Sequence, residues 1–583
     1  MNKYYGLLLI FLSTGCFQHA IAQEPTKNQN SQATKQSEQI LRDKTAQERQ
    51  RDIEKKKSEN NPPIKSAKPI LPSTGKLEDA CRQISTINIK GITLLDTDDV
   101  ITIIEPYQGT CLGVDELNTI LKKITYLYIE KGYVTSRALL PEQDLTDSIL
   151  EIIVLEGFLE QIIIDNQVDK HQSQIDSAFP NLIGQILNLR DIEQGLDQIN
   201  RLSSNHAKIN LIAGDKTGST KLAVLRNQSD FFHGVVTSDN LGSDTTGRNQ
   251  IRLTLNFDDL YGHNDAWGLS YQRTSINHPL FFSKDQYSEY ISITTSFPYG
   301  YWLFDFSTSL STYSTTVQGS FETIISSGNS RNNKLGVSVV AQRDQTSILK
   351  LSANLTWKKS ENYIFSYKLD TSSRTITTAS LELYHTLYLS TGQFITSISY
   401  NQGLPLFNAN KDESDQYSPK SQFKSISIVL NSATTFPIDD ITSTFNWQFT
   451  AQYSPDLLFG SEQVGYGSYS TVRGIRESVL FGNSGMLMRN DLSFRQQPFQ
   501  DPDTTQIIGI AEYYTSLDFG LIPKQGIYQT QQETLTGFTL GVRFLGGIFS
   551  MDISYSEIIN HSPNITDRIT NTSVFNIITN VSF

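Results

Sequence analysis

The chain beyond residue 230 alternates apolar and polar side chains in one segment after another and ends on Phe583. In one such segment the apolar side chains are Phe445, Trp447, Phe449, Ala451 and Tyr453, and polar residues lie between them. A period of two places successive side chains on opposite faces of a β-strand. Many strands with an aromatic-rich apolar face and a Ser-, Thr-, Asn- and Gln-rich face are typical of a closed membrane β-barrel with a polar lumen.

Composition excludes two other classes of protein. No apolar run approaches the roughly 18–20 residues that a membrane-spanning helix needs, and the mean hydropathy is −0.31. A helical membrane protein is therefore excluded, whereas a barrel needs only every second residue to face lipid. The net charge of −12 and the pI near 5.3 argue against a nucleic-acid partner, which would require a basic surface.

The length of the alternating region limits the number of strands. Residues 230–583, divided among sixteen strands, leave about 22 residues for each strand and its connection. That length suits a span of about ten residues, with short turns at one end of the barrel and long loops at the other. The sequence therefore predicts a transmembrane antiparallel β-barrel of about 16 strands, although fourteen or eighteen strands fit as well.

Residues 1–22 have the features of a secretory signal peptide. Lys3 precedes an apolar run that begins at Leu7, and Ala20-Ile21-Ala22 provides a cleavage site. The alternative is a lipoprotein acylated at Cys16, although Ser13 stands where a leucine is usual.

Export has a consequence for the other two cysteines. Removal of residues 1–22 leaves Cys81 and Cys111, and an exported chain with one such pair favours a disulfide between them. In the chain-entropy model, closing a loop of that length contributes roughly 3–4 kcal/mol.

Four segments precede the barrel. Residues 23–60 are polar and charged and cannot bury enough surface to fold alone, although they are rich in helix-forming residues. A proline-containing linker follows at 61–76. Residues 77–157 and 158–229 each combine strand patterns with an amphipathic helix, and they predict two small α+β domains.

Longer motifs in these domains resemble a known family. The helix pattern Leu189-Arg190-Asp191-Ile192-Glu193-Gln194-Gly195-Leu196 closely resembles the second periplasmic POTRA domain of two-partner secretion translocators, the haemolysin and filamentous-haemagglutinin transporter family. Glu130-Lys131-Gly132-Tyr133-Val134 with Pro141-Glu142-Gln143-Asp144-Leu145 resembles the first POTRA domain of the same proteins. The resemblance covers essentially the whole mature chain.

Two barrel motifs are similar to those of the same family. Val472-Arg473-Gly474-Ile475 resembles the V-R-G-aromatic motif of the loop that folds back into the pore, with Ile475 replacing the aromatic residue. Leu517-Asp518-Phe519-Gly520 resembles the acidic motif on the facing wall. The resemblance implies that Arg473 and Asp518 form a salt bridge that pins this loop. Without the motif, Arg473 would be interpreted as a solvent-exposed loop arginine, whose ion pair contributes well under ~1 kcal/mol.

The resemblance also implies where partners bind. The helix beginning at Arg190, together with the edge of the first domain, would form a groove for an extended client segment. The client-binding candidates on this helix are Arg190, Asp191, Glu193, Asn200 and Arg201. Residues 23–60 would form a helix that plugs the resting pore, whereas composition alone favours a disordered tether.

The C-terminal strand resembles an assembly signal. Phe583 ends a strand whose apolar side chains share one face, as in the signal that the barrel-assembly machinery reads. An ordinary closing strand would show the same pattern.

Nothing in the sequence indicates catalysis, a cofactor or a metal site. The histidines are scattered, and there is no phosphate-binding glycine loop and no His/Cys spacing for a metal. We therefore expect a monomeric, non-enzymatic transporter in the outer membrane, with its POTRA domains in the periplasm. Its partner would be a large secreted exoprotein: an adhesin, a haemolysin or a contact-dependent inhibition toxin.

For passage, the plug helix must leave and the Arg473 loop must shift or yield. A barrel-assembly factor of the same superfamily and a passive porin are the alternatives.

Overall fold

The computed structural model describes residues 27–58 and 81–583, apart from 168–170, 277–284, 319–322, 366, 416, 440, 498–507 and 527–528. The predicted signal peptide (1–22), Cys16 and the linker (61–76) lie outside these residues. The described chain consists of one long helix, two small α+β domains and a closed barrel. No helix in these ranges is long and apolar enough to cross a membrane.

The long helix, α1, spans Lys27–Ser58 and is polar on every face. At a rise of ~1.5 Å per residue it is ~48 Å long. Its side chains nevertheless include buried ones, among them Ser37, Arg42 and Gln50. A polar helix is buried in this way when the surroundings are themselves polar, as in the lumen of a barrel.

The first small domain packs two helices against a three-stranded sheet and a separate two-stranded sheet. Its elements are β1 (Arg82–Ile84), β2 (Thr86–Lys90), α2 (Thr97–Ile104), β3 (Thr110–Leu112), α3 (Val114–Glu130), β4 (Arg137–Leu139) and β5 (Ile149–Leu155). The sheet order is β2-β5-β4, with β2 and β5 parallel. Ile120, Ile124 and Tyr128 of α3 are completely buried in its core.

The second small domain repeats this architecture. Its elements are β6 (Phe158–Ile164), α4 (Gln172–Ala178), α5 (Leu189–Asn200), β7 (Ala207–Ala213) and β8 (Ser219–Arg226). The sheet order is β6-β8-β7, with β6 and β8 parallel. Gly195 lies where α5 crosses Phe179, and an added Cβ would be 2.0 Å from that ring. The glycine therefore sets the close packing of α5.

The barrel is formed by sixteen long antiparallel strands within the described residues, which confirms the predicted fold class. They are β9 (Phe232–Asp239), β10 (Asn249–Asp258), β11 (Ala266–Ser275), β12 (Tyr287–Tyr299), β13 (Trp302–Gln318), β14 (Thr323–Arg343), β15 (Ser347–Ile364), β17 (Arg374–Leu389), β18 (Gly392–Leu404), β19 (Lys424–Ile438), β20 (Ile441–Tyr453), β23 (Gly485–Gln496), β24 (Ile510–Ile522), β25 (Glu533–Leu545), β26 (Phe549–His561) and β27 (Ser573–Ser582). The two-residue strand β16 (Tyr367–Lys368) pairs with the end of β15. The short strands β21 (Val464–Tyr466) and β22 (Leu480–Gly482) form a separate hairpin.

The alternation in the sequence corresponds to the two faces of the barrel wall. On β20, Tyr453 is 60% exposed, whereas its neighbour Gln452 is only 8% exposed. Trp302, Phe304 and Phe306 on β13 are also exposed on the outer face. Aromatic and aliphatic side chains thus cover the outside, and polar side chains line the lumen.

The barrel closes where its first and last strands pair. Strand β27 pairs antiparallel with β9 from Ile578–Asp239 to Ser582–Val235. Phe583 extends the pairing, since its backbone and that of Gly234 exchange two hydrogen bonds of 2.8 and 2.9 Å. Its ring lies 6.1 Å from that of Phe232. Phe583 is therefore part of the closing seam.

Candidate functional site: the barrel lumen and its loop

Helix α1 runs through the lumen and is held by side-chain contacts with the wall. Ser37 hydrogen-bonds the hydroxyl of Tyr313 at 2.7 Å, and Glu38 forms an ion pair with Arg374. Toward the helix C-terminus, Gln50 exchanges hydrogen bonds of 3.0 and 3.3 Å with Gln448. The helix therefore occupies the position of a plug.

Empty space remains beside both halves of α1. A cavity of about 1390 Å³ surrounds its N-terminal half, between the long loops of the barrel. A second cavity of about 350 Å³ separates its C-terminal half from the wall formed by β14–β20. The second cavity is lined largely by short neutral polar side chains such as Asn354, Ser380 and Ser399. The lumen is thus polar and is only partly filled by the helix.

The connection between β20 and β23 folds back into the lumen as a loop that contains the β21–β22 hairpin, here termed the pore loop (residues 454–484). Its Arg473 is 1% exposed, and Asp518 on β24 is completely buried. Arg473 donates from Nε to Oδ2 and from Nη2 to Oδ1 of Asp518, both at 2.6 Å. Its backbone N–H donates to the same carboxylate at 3.1 Å. The structure thus brings together the two residues paired in the sequence analysis.

A second carboxylate that the sequence analysis missed completes this ion-pair cluster. Nη2 of Arg473 also donates to Oδ1 of Asp491 on β23 at 2.6 Å. Arg489, two residues earlier on the same strand, lies 3.7 Å from Asp518. The period of two places Arg489 and Asp491 on the polar face of β23, and this alternation is the sequence signal that could have identified them. Two arginines therefore balance two carboxylates in the lumen.

Glycines allow the pore loop to lie against the wall. Gly474 has a φ of +125°, and an added Cβ would meet Ile558 and the backbone of Glu557 within 2.8 Å. On β25, a Cβ at Gly537 would be 1.9 Å from the carbonyl oxygen of Arg473. Only glycine permits this approach at either position. Gly537 was not identified from the sequence.

The other motif residues pack into a small apolar cluster beside the ion pairs. Val472 is completely buried and Ile475 is 7% exposed, and both contact a group that includes Tyr466 and Leu535. Isoleucine therefore fills the position where the family motif has an aromatic residue.

The client-binding candidates on α5 have other partners in this structure. Asp191 accepts a hydrogen bond of 2.6 Å from the hydroxyl of Tyr301, which lies in the β12–β13 turn. Glu193 lies 3.7 Å from Arg343 at the end of β14 and 2.7 Å from Arg190 on its own helix. Helix α5 is therefore docked on the barrel turns.

The remaining contacts of α5 extend this joint. Arg201 donates to Ser296 at 2.6 Å and to the carbonyl of Asn264. Asn200 instead bonds the backbone of Ala207 and fastens the helix to its own domain. In this structure the helix joins the second domain to the barrel, and its use as a client groove stays a prediction.

The structure also places the two predicted cysteines together. Cys81 and Cys111 are disulfide-bonded with a Cα–Cα distance of 5.4 Å, and the bond links the start of β1 to its antiparallel partner β3. Among the residues for which coordinates are described, no group of three His, Cys, Asp or Glu side chains could hold a metal ion.

Comparison with known proteins assigns this architecture. Residues 218–544 match the family described as haemolysin secretion/activation protein ShlB/FhaC/HecB. The chain belongs to the ShlB/FhaC/HecB family. Residues 83–157 match the ShlB-type POTRA domain, and residues 158–213 match a POTRA domain. The two small domains are therefore POTRA domains, as the sequence resemblance indicated.

Individual members of the ShlB/FhaC/HecB family match over most of their length. The outer membrane transporter CdiB of Dickeya dadantii is 31% identical over 492 residues, which cover 84% of this chain and 85% of that protein. The hemolysin transporter protein ShlB of Serratia marcescens is 30% identical over 429 residues, covering 73% and 74%. The solved structure of CdiB from Escherichia coli superposes with a TM-score of 0.81 at 28% identity, covering 97% of this chain and all of that one. The present chain is thus an outer-membrane transporter of two-partner secretion, with its POTRA domains in the periplasm.

Proposed function

We propose that this chain recognises an unfolded exoprotein in the periplasm and moves it through the barrel lumen to the cell surface without nucleotide hydrolysis. The observation that carries the proposal is the polar lumen around α1, in which the described contacts between the helix and the wall are made by the side chains of the helix. Such contacts can be exchanged for those of an extended polar client. Progressive folding outside the cell would make the return of the client unfavourable.

The client of this transporter is proposed from the names of its relatives. Those relatives are transporters named for haemolysin and for CdiB, so a large adhesin, haemolysin or contact-dependent inhibition toxin is the proposed class. Because α5 is engaged by the barrel, we place initial capture at one edge of the three-stranded sheet in the first POTRA domain. Strand β4 forms that edge and exposes Leu139. Strand addition there would hold a client in extended form through main-chain hydrogen bonds.

Assembly and oligomeric state are also proposals. Phe583 lies at the barrel seam, where the barrel-assembly machinery would read the last strand during insertion. The barrel is closed by its own strands, which supports a monomeric transporter.

Deletion of the gene, followed by complementation, tests the transport function. We expect the partner exoprotein to disappear from the cell surface in the deletion strain and to return with the wild-type chain, because the lumen is its route. Site-specific photo-crosslinking from Leu139 should capture the soluble exoprotein in the periplasm. Crosslinks to nascent barrel proteins instead would favour an assembly factor, and unchanged secretion of every exported protein would favour a passive porin.

A further inference from the structure

The tip of the pore loop contacts the barrel wall at a second place, shortly before Arg473. Tyr469 donates a hydrogen bond from its hydroxyl to Oδ2 of Asp552 on β26, at 3.0 Å. Tyr514 on β24 donates to Oδ1 of the same carboxylate at 2.8 Å. Arg543 on β25 donates from Nε to Oδ2 at 3.0 Å, and its guanidinium carbon lies 3.8 Å from the centre of the Tyr514 ring.

The three wall residues of this contact bond one another and do not depend on the loop for their arrangement. Asp552, Tyr514 and Arg543 come from three neighbouring strands and orient one another. Tyr469 is the loop residue that enters this socket. A hydrogen bond to an ionised carboxylate is stronger than one between neutral groups. The arrangement is therefore suited to fastening the loop at a defined position.

This contact uses different strands from those used by Arg473. Arg473 bonds Asp491 on β23 and Asp518 on β24, whereas Tyr469 bonds Asp552 on β26. Between them, the carbonyl oxygen of Ser470 accepts a hydrogen bond from Arg489 at 3.1 Å. The loop tip is thus attached across the wall from β23 to β26.

The described contacts between the pore loop and α1 differ from that of Arg473, because none of them is a bidentate ion pair. Gln39 donates to Glu477 at 3.1 Å, and Arg49 donates to the carbonyl of Glu462 at 3.3 Å. Arg42 lies with its guanidinium carbon 3.9 Å from the centre of the Phe481 ring. Arg42 also donates to Gln463 at 3.3 Å, and Asp43 contacts Ser478. Most of these contacts are made by long side chains, which lose conformational entropy when they are held. Such contacts would separate before the buried ion pairs of the loop tip.

We propose that Tyr469 and Asp552 form a second latch that keeps the pore loop docked on the wall while α1 leaves the lumen. This inference rests on the proposed transport function. The sequence analysis expected both the helix and the loop to move during passage, whereas here only the helix moves. The client then takes the place of α1, with the docked loop on one side. On the other side lies the Ser-, Thr- and Asn-lined face of β14–β20, from which α1 is already separated by a cavity.

Four variants test whether Tyr469 is a latch or only a packed side chain: Tyr469→Phe, Arg473→Lys, the two together, and Tyr514→Phe with Arg473→Lys. Each tyrosine variant removes one hydroxyl from Asp552, but only Tyr469 belongs to the loop. Because two latches compensate for each other, we expect the Tyr469→Phe/Arg473→Lys pair to lower exoprotein secretion ~5-fold or more beyond the product of the single effects. The amount of heat-modifiable, folded barrel should stay unchanged.

The control pair decides the interpretation. We expect Tyr514→Phe with Arg473→Lys to give no more than the product of its single effects. Equal behaviour of the two pairs would overturn the latch, and so would simple multiplicativity of the Tyr469→Phe pair.

A disulfide between loop and wall tests whether the loop stays docked. A Cβ built on Gly520 lies 3.0 Å from Cγ2 of Val472, so Val472→Cys with Gly520→Cys places the two thiols within bonding reach. We expect the oxidised and the reduced forms of this variant to secrete equally. Secretion that is blocked by oxidation and restored by a reductant would show that the loop must move. If the wild-type chain itself secretes no exoprotein, the transport function fails and not the latch.

Discussion

Replacing Arg473 with alanine is expected to abolish most secretion while leaving the barrel assembled. The change leaves the completely buried Asp518 without its bidentate partner and removes one partner of Asp491. Breaking a buried ion pair by removing one member costs about 3–5 kcal/mol when the remaining charge stays buried without compensation. Arg489, 3.7 Å from Asp518, compensates only part of that charge. We therefore expect the pore loop to be held less firmly, with the Tyr469 contact as its remaining latch, and the exported partner to fall by ~10-fold or more at the cell surface, measured by immunoblotting of intact cells.

Arg476 in the same loop provides the matched control. Its side chain bonds the backbone carbonyl of Asn240 and is only partly buried. Arg476→Ala should secrete at nearly the wild-type level, and Arg473→Lys should lie between the two because lysine keeps the charge but not the bidentate geometry. Normal assembly and normal secretion by Arg473→Ala would contradict the pinned-loop account.

Deleting residues 23–59 after the signal peptide is expected to open the channel. Helix α1 has a diameter of ~10–12 Å with its side chains, and its removal should raise the single-channel conductance in planar bilayers at least ~2-fold. The physical reason is that water and ions then fill the space that α1 occupies beside the wall residues Tyr313, Arg374 and Gln448. The measurement uses purified protein at fixed salt concentration.

A second variant separates a plug from a tether. Replacing residues 27–58 with a Gly/Ser segment of equal length keeps the connection but removes the contacts of Ser37, Glu38 and Gln50. If the segment is a plug, this variant should conduct like the deletion. Wild-type conductance in both variants would show that α1 does not fill the pore.

The barrel was predictable because one physical signal is repeated in every strand. Lipid on one side and water on the other impose a period of two, which Phe445–Tyr453 shows with a single polar residue between apolar ones. The prediction of the POTRA helices was less complete. The strong amphipathic helices α3 and α5 were predicted, whereas the shorter α2 and α4 were missed because about two turns carry little periodic signal.

The site was predictable only where a motif recorded it. Arg473 and Asp518 were paired from sequence. Asp491 and Gly537 meet the loop, and Tyr469 of the loop meets the wall, through barrel register and chain fold-back, which no local pattern encodes. The role of α5 shows the same limit. Its charged face was interpreted as a client surface, which stays a prediction. Tyr301 in the β12–β13 turn and Arg343 at the end of β14, both far away in the sequence, contact this face, and no local pattern indicated them.

The most direct measurement concerns the route of the exoprotein, and it uses a tether on α1. The hydroxyls of Thr34 on α1 and Thr371 in the β15–β17 connection are 3.3 Å apart, so Thr34→Cys with Thr371→Cys should form a disulfide that holds the helix in the lumen. We expect the oxidised double variant to stop exporting its partner and to resume on addition of a reductant, while each single cysteine variant exports normally. Full export by the oxidised, tethered protein would show that the partner does not pass through the lumen that α1 fills.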